Sequence, residues 1–226
     1  EKEIPYSDDI APRRWRAFWE TGGGQLADWG CHLIDALYFA FDLASPESVM
    51  THTPKAAGTG HSGHNISTIT YPGGGRFARE KFILHYNDDA LLPSFASLGL
   101  PAVKPGANQT LVICEEGALL LEANGGLTIF RKGQKAENEP LPEVEPHDHW
   151  KDWADNCLGE KKHLWTPLTI GWRITEPCLL AVKATRFPGE DLRWDSRSCR
   201  FIQHDAANAS IVSRQYRKGF EPPTIA

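Results

Sequence analysis

No Cys-x-x-Cys pair occurs anywhere in the 226 residues, and the five cysteines (Cys31, Cys114, Cys157, Cys178 and Cys199) are odd in number and widely scattered. That spacing excludes a disulfide framework and a structural zinc site, and leaves them as small buried hydrophobes. No block of Lys and Arg is present either, and the net charge is -5, so nothing in the sequence can track a phosphate backbone and nucleic acid is excluded as a partner. Hydrophobic runs fall far short of the roughly 20 residues that a membrane-spanning helix needs, so no membrane partner is expected. The opening "EKEIPYSDD" shows neither an initiator methionine nor a signal peptide, so the start of the natural protein is expected to be missing.

What is present is ample core material: 41% hydrophobic residues and eight tryptophans, enough for an ordered globular domain. Length alone allows one large domain or two small ones, and we read residues 1–226 as one. An aromatic and arginine-rich stretch, "APRRWRAFWE", leads into glycines and then a helical pattern from about Gln25 to Leu43, closed by the Ser-Pro of "ASPE". Short β-branched runs follow: "ESVMTHT", "HNISTITY", "GRFAREKFILHYN", "QTLVICE", "GALLLEA" and "GLTIFRK". The last three are so close together that they must form an antiparallel meander. Residues 88–108 carry three prolines and no clean period, and are expected to form a surface loop beside the site.

Helical periodicity returns at "HDHWKDWADNCLG" and at "PLTIGWRITEPCLLAVKAT", where Pro177 should kink or break the helix. The remaining residues read as a long tail. Helix, strands, helices and tail in that order define an α+β domain, not alternating β-α-β units.

"GTGHSG", residues 58–63, has the G-x-G-x-x-G spacing of a dinucleotide cradle but lacks the strand before it and the helix after it, so it is read as a flexible loop. The pairs His61/His64 and His147/His149 have no third or fourth ligand at a supporting spacing, and no metal site is expected.

The helix after the glycines is more informative. At about 100° per residue, Leu26, Trp29, Leu33, Ile34, Leu37 and Phe41 gather on one face, while Asp28, His32, Asp35 and Phe39 fall within a stripe about 60° wide on the other. A polar stripe is what any surface helix shows, but Tyr38 and Phe39 suit solvent poorly, and Gly22–Gly24 allow a ligand or backbone to approach closely. Asp28 and His32, one turn apart, are expected to touch and so to form a general acid/base beside a buried cleft, suited to proton exchange with a substrate hydroxyl.

The stretch "WRAFWETGGGQLADWGCHLIDALYFAFDLASPESV" resembles the opening of the C-terminal domain in the glucose-fructose oxidoreductase, inositol dehydrogenase and rhizopine catabolism (Gfo/Idh/MocA) family, whose mark is a Gly-rich turn followed by D-x-x-x-H-x-x-D. "KFILHYNDDALLP", "HDHWKDWADNCLGEKK" and "LRWDSRSCRFIQHDAANASIVSRQYRKGF" are similar to a bacterial branch of it. The resemblance implies an open, largely antiparallel β-sheet with helices packed on one face. It also implies an N-terminal Rossmann domain, absent from this chain, that holds NAD or NADP.

By the same resemblance His32 and Asp28 would be catalytic, His32 taking a hydroxyl proton as hydride leaves a sugar or polyol. Asp35, Arg16, Trp19 and His149 would contact substrate. The family's catalytic lysine is not carried over, because Glu3 follows Lys2 where a Glu-Lys-Pro-type motif has proline. Taken together, these readings make the chain the substrate-binding and oligomerisation domain of an NAD(P)-dependent oxidoreductase, inactive alone, that forms a homo-oligomer through the open sheet face. Two other readings stand beside it: an NAD-dependent glycosidase-type relative, and a noncatalytic carbohydrate-binding or assembly module. Compartment, whether cytoplasm or periplasm, is not fixed by the sequence.

Overall fold

In the computed structural model the described residues are 7–8, 12–54, 59–75, 77–88, 94–100, 106–123, 125–131, 137–138, 140, 142–210, 216 and 218–221. The expected helix after the glycines forms as two pieces, α1 (Gly24–Asp28) and α2 (Gly30–Phe41). At the junction the His32 amide bonds to the Trp29 carbonyl three residues back, at 3.1 Å, so the ladder tightens locally. The helix ends because Asp42 takes a left-handed conformation, φ 49°, and returns its amide to the Tyr38 carbonyl. Arg173 holds that cap through the Asp42 carboxylate at 2.8 Å.

Strands β1 (Ser48–His52), β2 (Ile66–Pro72) and β3 (Lys81–Asn87) pair antiparallel in the order β3-β2-β1. In register, Val49 stands opposite Ile69 and Ile69 opposite Leu84, so these apolar residues share one face. The meander forms as expected from β4 (Gln109–Cys114), β5 (Gly117–Glu122) and β6 (Leu127–Arg131), with the short β7 (Glu137–Asn138) added. The α+β reading therefore stands, with the strands divided between a five-stranded sheet and this four-stranded one.

Within residues 88–108, Phe95 is buried against Phe130 of the second sheet, so this part of the connection is a packing element rather than a wall of the helix-borne site. Helix α3 (His149–Cys157) is capped by the Asp148 side chain, which accepts from the Trp150 and Lys151 amides. Helix α4 (Leu168–Ala184) runs through Pro177 as one helix, so of the kink or break expected there the break does not occur. Pro177, Cys178, Leu180, Ala181 and Val182 are all buried there, and that packing outweighs the one backbone bond proline removes.

The expected tail is partly structured. β8 (Leu192–Asp195) pairs with β1 and β9 (Arg200–Phe201) pairs with β8, completing the first sheet, and α5 (Asp205–Ala209) follows. Helices α1, α2 and α4 bury Leu26, Ile34, Leu37 and Ile174 with Val49, Ile69, Tyr71 and Leu192 in one core. Thr51 and Ser67, fully buried on the inner face, bond to each other at 2.8 Å, and Thr51 donates on to the Ala181 carbonyl, so their polarity is satisfied inside. The opposite face of the sheet exposes Ile66 and Ile83.

No described helix is long and apolar enough to cross a membrane.

Candidate active site on the glycine-turn helix

The glycine turn is built by close backbone contact. Gly22 donates to the Phe18 carbonyl at 2.8 Å, and a Cβ on Gly22 would fall 2.6 Å from the Arg16 Cα. Gly24 sits at φ +65°, a conformation that L side chains rarely adopt, and starts α1. The turn thus folds the Arg16 segment back alongside α1.

That geometry decides the partner of Asp28. Its Oδ2 lies 2.9 Å from Arg16 Nε, both side chains being partly exposed, so two sequence-predicted site residues meet. The expected contact between Asp28 and His32 is corrected: the recorded ion pair of Asp28 is with Arg16, while His32 sets its ring edge-on to Trp29 at 5.5 Å.

His32 and Asp35 remain on one side of α2, and both are exposed. The expectation of a buried cleft is corrected to an open face, since the described residues of this chain do not enclose them. An open depression of about 430 Å³ lies elsewhere, lined by His52, Thr53, Pro54, His64, Ile66 and Pro188. The surroundings of the Asp35 carboxyl push it above its ordinary value by desolvation, and the neighbouring His32 opposes that rise.

Trp19, expected against a sugar, is instead partly buried against the core, with His61 stacked on it at 3.9 Å and the Arg186 guanidinium over it at 4.1 Å. These contacts pack it against the core. His149 is exposed in the first turn of α3 and its recorded ring contact is with Trp150, so the described contacts do not join it to Asp28 or His32.

Sequence reasoning weighed His61 only as half of a metal pair with His64 and did not place it against the glycine turn. The loop read as flexible pairs Gly60 with Phe18, donates the His61 amide to the Ala17 carbonyl at 2.7 Å, and places His61 Nε2 2.9 Å from the Gly22 carbonyl. Burial pushes this imidazole below its ordinary value, the bond to Gly22 opposes that shift and Arg186 adds to it. Its glycine spacing and the His61/His64 pair marked the loop in the sequence, and neither pointed to this contact. Its described half is followed by strand β2 and so offers no helix N-terminus to a dinucleotide phosphate. Among the described residues, no group of three or more His, Cys, Asp or Glu is placed to hold a metal ion.

Antiparallel sheets backed by helices, the first of them entered through a Gly-rich turn, define an α+β domain. A family model described as the GFO/IDH/MocA C-terminal domain matches residues 3–119, and the chain belongs to that family. No curated protein matches it in sequence.

Of the solved structures, the WlbA dehydrogenase from Bordetella pertussis, in complex with NADH and UDP-GlcNAcA, is 18% identical with a TM-score of 0.50, over 80% of this chain and 48% of that one. That likeness supports the fold. UDP-N-acetylglucosamine 3-dehydrogenase GnnA from Acidithiobacillus ferrooxidans gives 13% and 0.48, over 81% and 51%. An NAD-binding protein from Listeria innocua gives 18% and 0.48, over 78% and 49%. The chain spans about half the length of the solved structures it matches.

Proposed function

We propose that this chain is the substrate-binding domain of a longer NAD(P)-dependent oxidoreductase acting on a sugar or polyol hydroxyl, and that residues 1–226 serve as one domain in it. The observation that carries the reading is the exposed His32–Asp35 face of α2, set beside the Arg16–Asp28 pair at the end of a Gly-rich turn. An open face of this kind leaves room for substrate and a second domain to close over it.

No phosphate cradle is offered by the described residues, so the dinucleotide would be held by that second domain. When bound, the oxidised nicotinamide supplies the hydride acceptor. His32 accepts the hydroxyl proton at an imidazole nitrogen. Asp35, on the same side of the helix, receives a hydrogen bond from a second substrate hydroxyl and stabilises positive charge on His32. Asp28 acts as a positioning group: it fixes Arg16 through Nε, and with Nη1 donating to the Arg13 carbonyl at 3.5 Å the Nη2 N–H groups are left for substrate oxygens. The exposed outer face carrying Ile66 and Ile83 supports a homo-oligomer formed through that sheet, which sedimentation of the full-length protein would test.

The deciding experiment is turnover of a sugar and polyol panel by full-length protein with NAD and NADP. A dehydrogenase accumulates reduced cofactor and loses nearly all turnover in His32→Ala. Sugar release without net reduced cofactor would instead indicate glycosidase chemistry, and unchanged turnover in His32→Ala would indicate a noncatalytic module.

A further inference from the structure

The polar stripe of α2 does not end at Asp35. Phe39 lies one turn further along the same side, 47% exposed, and its ring stands 6.4 Å from that of Trp165. Trp165, itself 48% exposed, comes from the segment between α3 and α4. His163 packs edge-on to it at 4.7 Å, and His147, from just before α3, lies at 5.8 Å. Both imidazoles are exposed, and His147 Nδ1 is held by the Asp152 carboxylate at 3.1 Å.

This exposed tryptophan is bordered by two imidazoles and adjoins the proposed acid/base face through Phe39. Its chemistry suits a pyranose. The apolar C–H face of the sugar meets the electron-rich face of the indole, and the imidazole edges meet its ring hydroxyls. Position sets the length of the ligand: Phe39 lies seven residues, or about 10 Å, along the helix from His32. Trp165 meets α2 at Phe39 and not at His32, which favours a second ring at the indole over a single ring reacting at His32.

Charge sets its character. The Asp152 carboxylate stands on His147 at 3.1 Å and Lys162 is answered by Glu160 at 3.2 Å, which disfavours a diphosphate there.

Resting on the oxidoreductase reading above, we propose that Trp165, with Phe39, His147 and His163, forms a remote subsite holding the second sugar ring of a glycoside whose first ring reacts at His32.

The test uses full-length protein, titrated calorimetrically and assayed for turnover with methyl hexosides, the matching disaccharides and nucleoside-diphosphate hexoses. Wild type should prefer a disaccharide over its methyl hexoside by about tenfold in Kd and KM. Trp165→Ala should erase that preference by weakening the disaccharide alone, and Trp165→Phe should restore part of it. Equal weakening of both ligand classes, or an undiminished preference in Trp165→Ala, overturns the proposal. So does a Trp165-dependent preference confined to nucleoside-diphosphate sugars, which would make the indole a nucleobase platform. A melting temperature lowered by several degrees with saccharide preference intact overturns it in favour of an interface within the protein.

Loss of turnover in His32→Ala alongside any of these results leaves the oxidoreductase reading standing, whereas full turnover in that variant removes the reading itself.

Discussion

Arg16 Nε stands 2.9 Å from Asp28 Oδ2, so the acid that helical spacing would give to His32 is bound by an arginine on the far side of the glycine turn. The contact ties the lead segment to α1 and leaves His32 beside Trp29.

Because both partners are partly exposed, Arg16→Ala should change the unfolding free energy by less than about 1 kcal/mol. If Arg16 and Asp28 instead serve the site, kcat/KM of the full-length enzyme should fall about tenfold or more in either variant. Urea titration with steady-state kinetics separates the two effects. A large stability loss with intact kcat/KM would assign the pair to folding alone.

Gly22→Ala should be costly, because its new Cβ must meet Arg16 main-chain atoms at 2.6 Å and backbone cannot swing aside. We expect about 1–3 kcal/mol of destabilisation. Gly24→Ala should cost about 1–2 kcal/mol through its φ of +65°. Denaturant unfolding of each variant checks both, and a wild-type midpoint in Gly22→Ala would show that the turn is not packed as described.

His61 makes stability depend on pH in a stated direction. Its folded value lies below the ordinary 6.5, so the unfolded chain takes up a proton that the fold resists. Stability from this group is therefore complete above about 6.5 and lost as pH falls through that value toward the folded one. His61→Gln keeps a donor for the Gly22 carbonyl but does not titrate. Its melting temperature should fall less steeply than wild type's between about pH 7.5 and 5. Parallel curves would rule His61 out as the source.

Glu176 is buried, accepts from Trp194 Nε1 at 2.8 Å through one oxygen, and leaves Oε2 without a hydrogen-bond partner among the described residues. Glu176→Gln keeps the bond to Trp194 and removes a buried charge, so it should be neutral or stabilising by up to about 1 kcal/mol. Glu176→Met orphans the indole N–H and should destabilise by about 1–3 kcal/mol. Calorimetric melting of both variants tests the opposite signs, and a destabilised Gln variant would show that the carboxylate is needed.

Much of the fold was legible in the sequence. The apolar alternation of "HNISTITY" and the tight spacing of "QTLVICE", "GALLLEA" and "GLTIFRK" mark β2 and the meander through local periodicity and turn chemistry alone. The strand "LRWD" was not legible, because its alternation spans only four residues, too short a run to read alone, and it becomes a strand only by pairing with β1. Pro177 misled for the same reason: its penalty is local, while the burial that keeps α4 continuous comes from elsewhere in the chain.

For the site, residue order alone placed His32, Asp35 and Phe39 along one side of a helix, since a 3.6-residue period is fixed by the backbone. Only the tertiary structure chose Arg16 as the partner of Asp28, set His61 beneath the glycine turn and brought Trp165 to Phe39. Those choices join segments distant in sequence. They follow from which surfaces pack together and which charges meet on folding, and no local pattern in the chain encodes either.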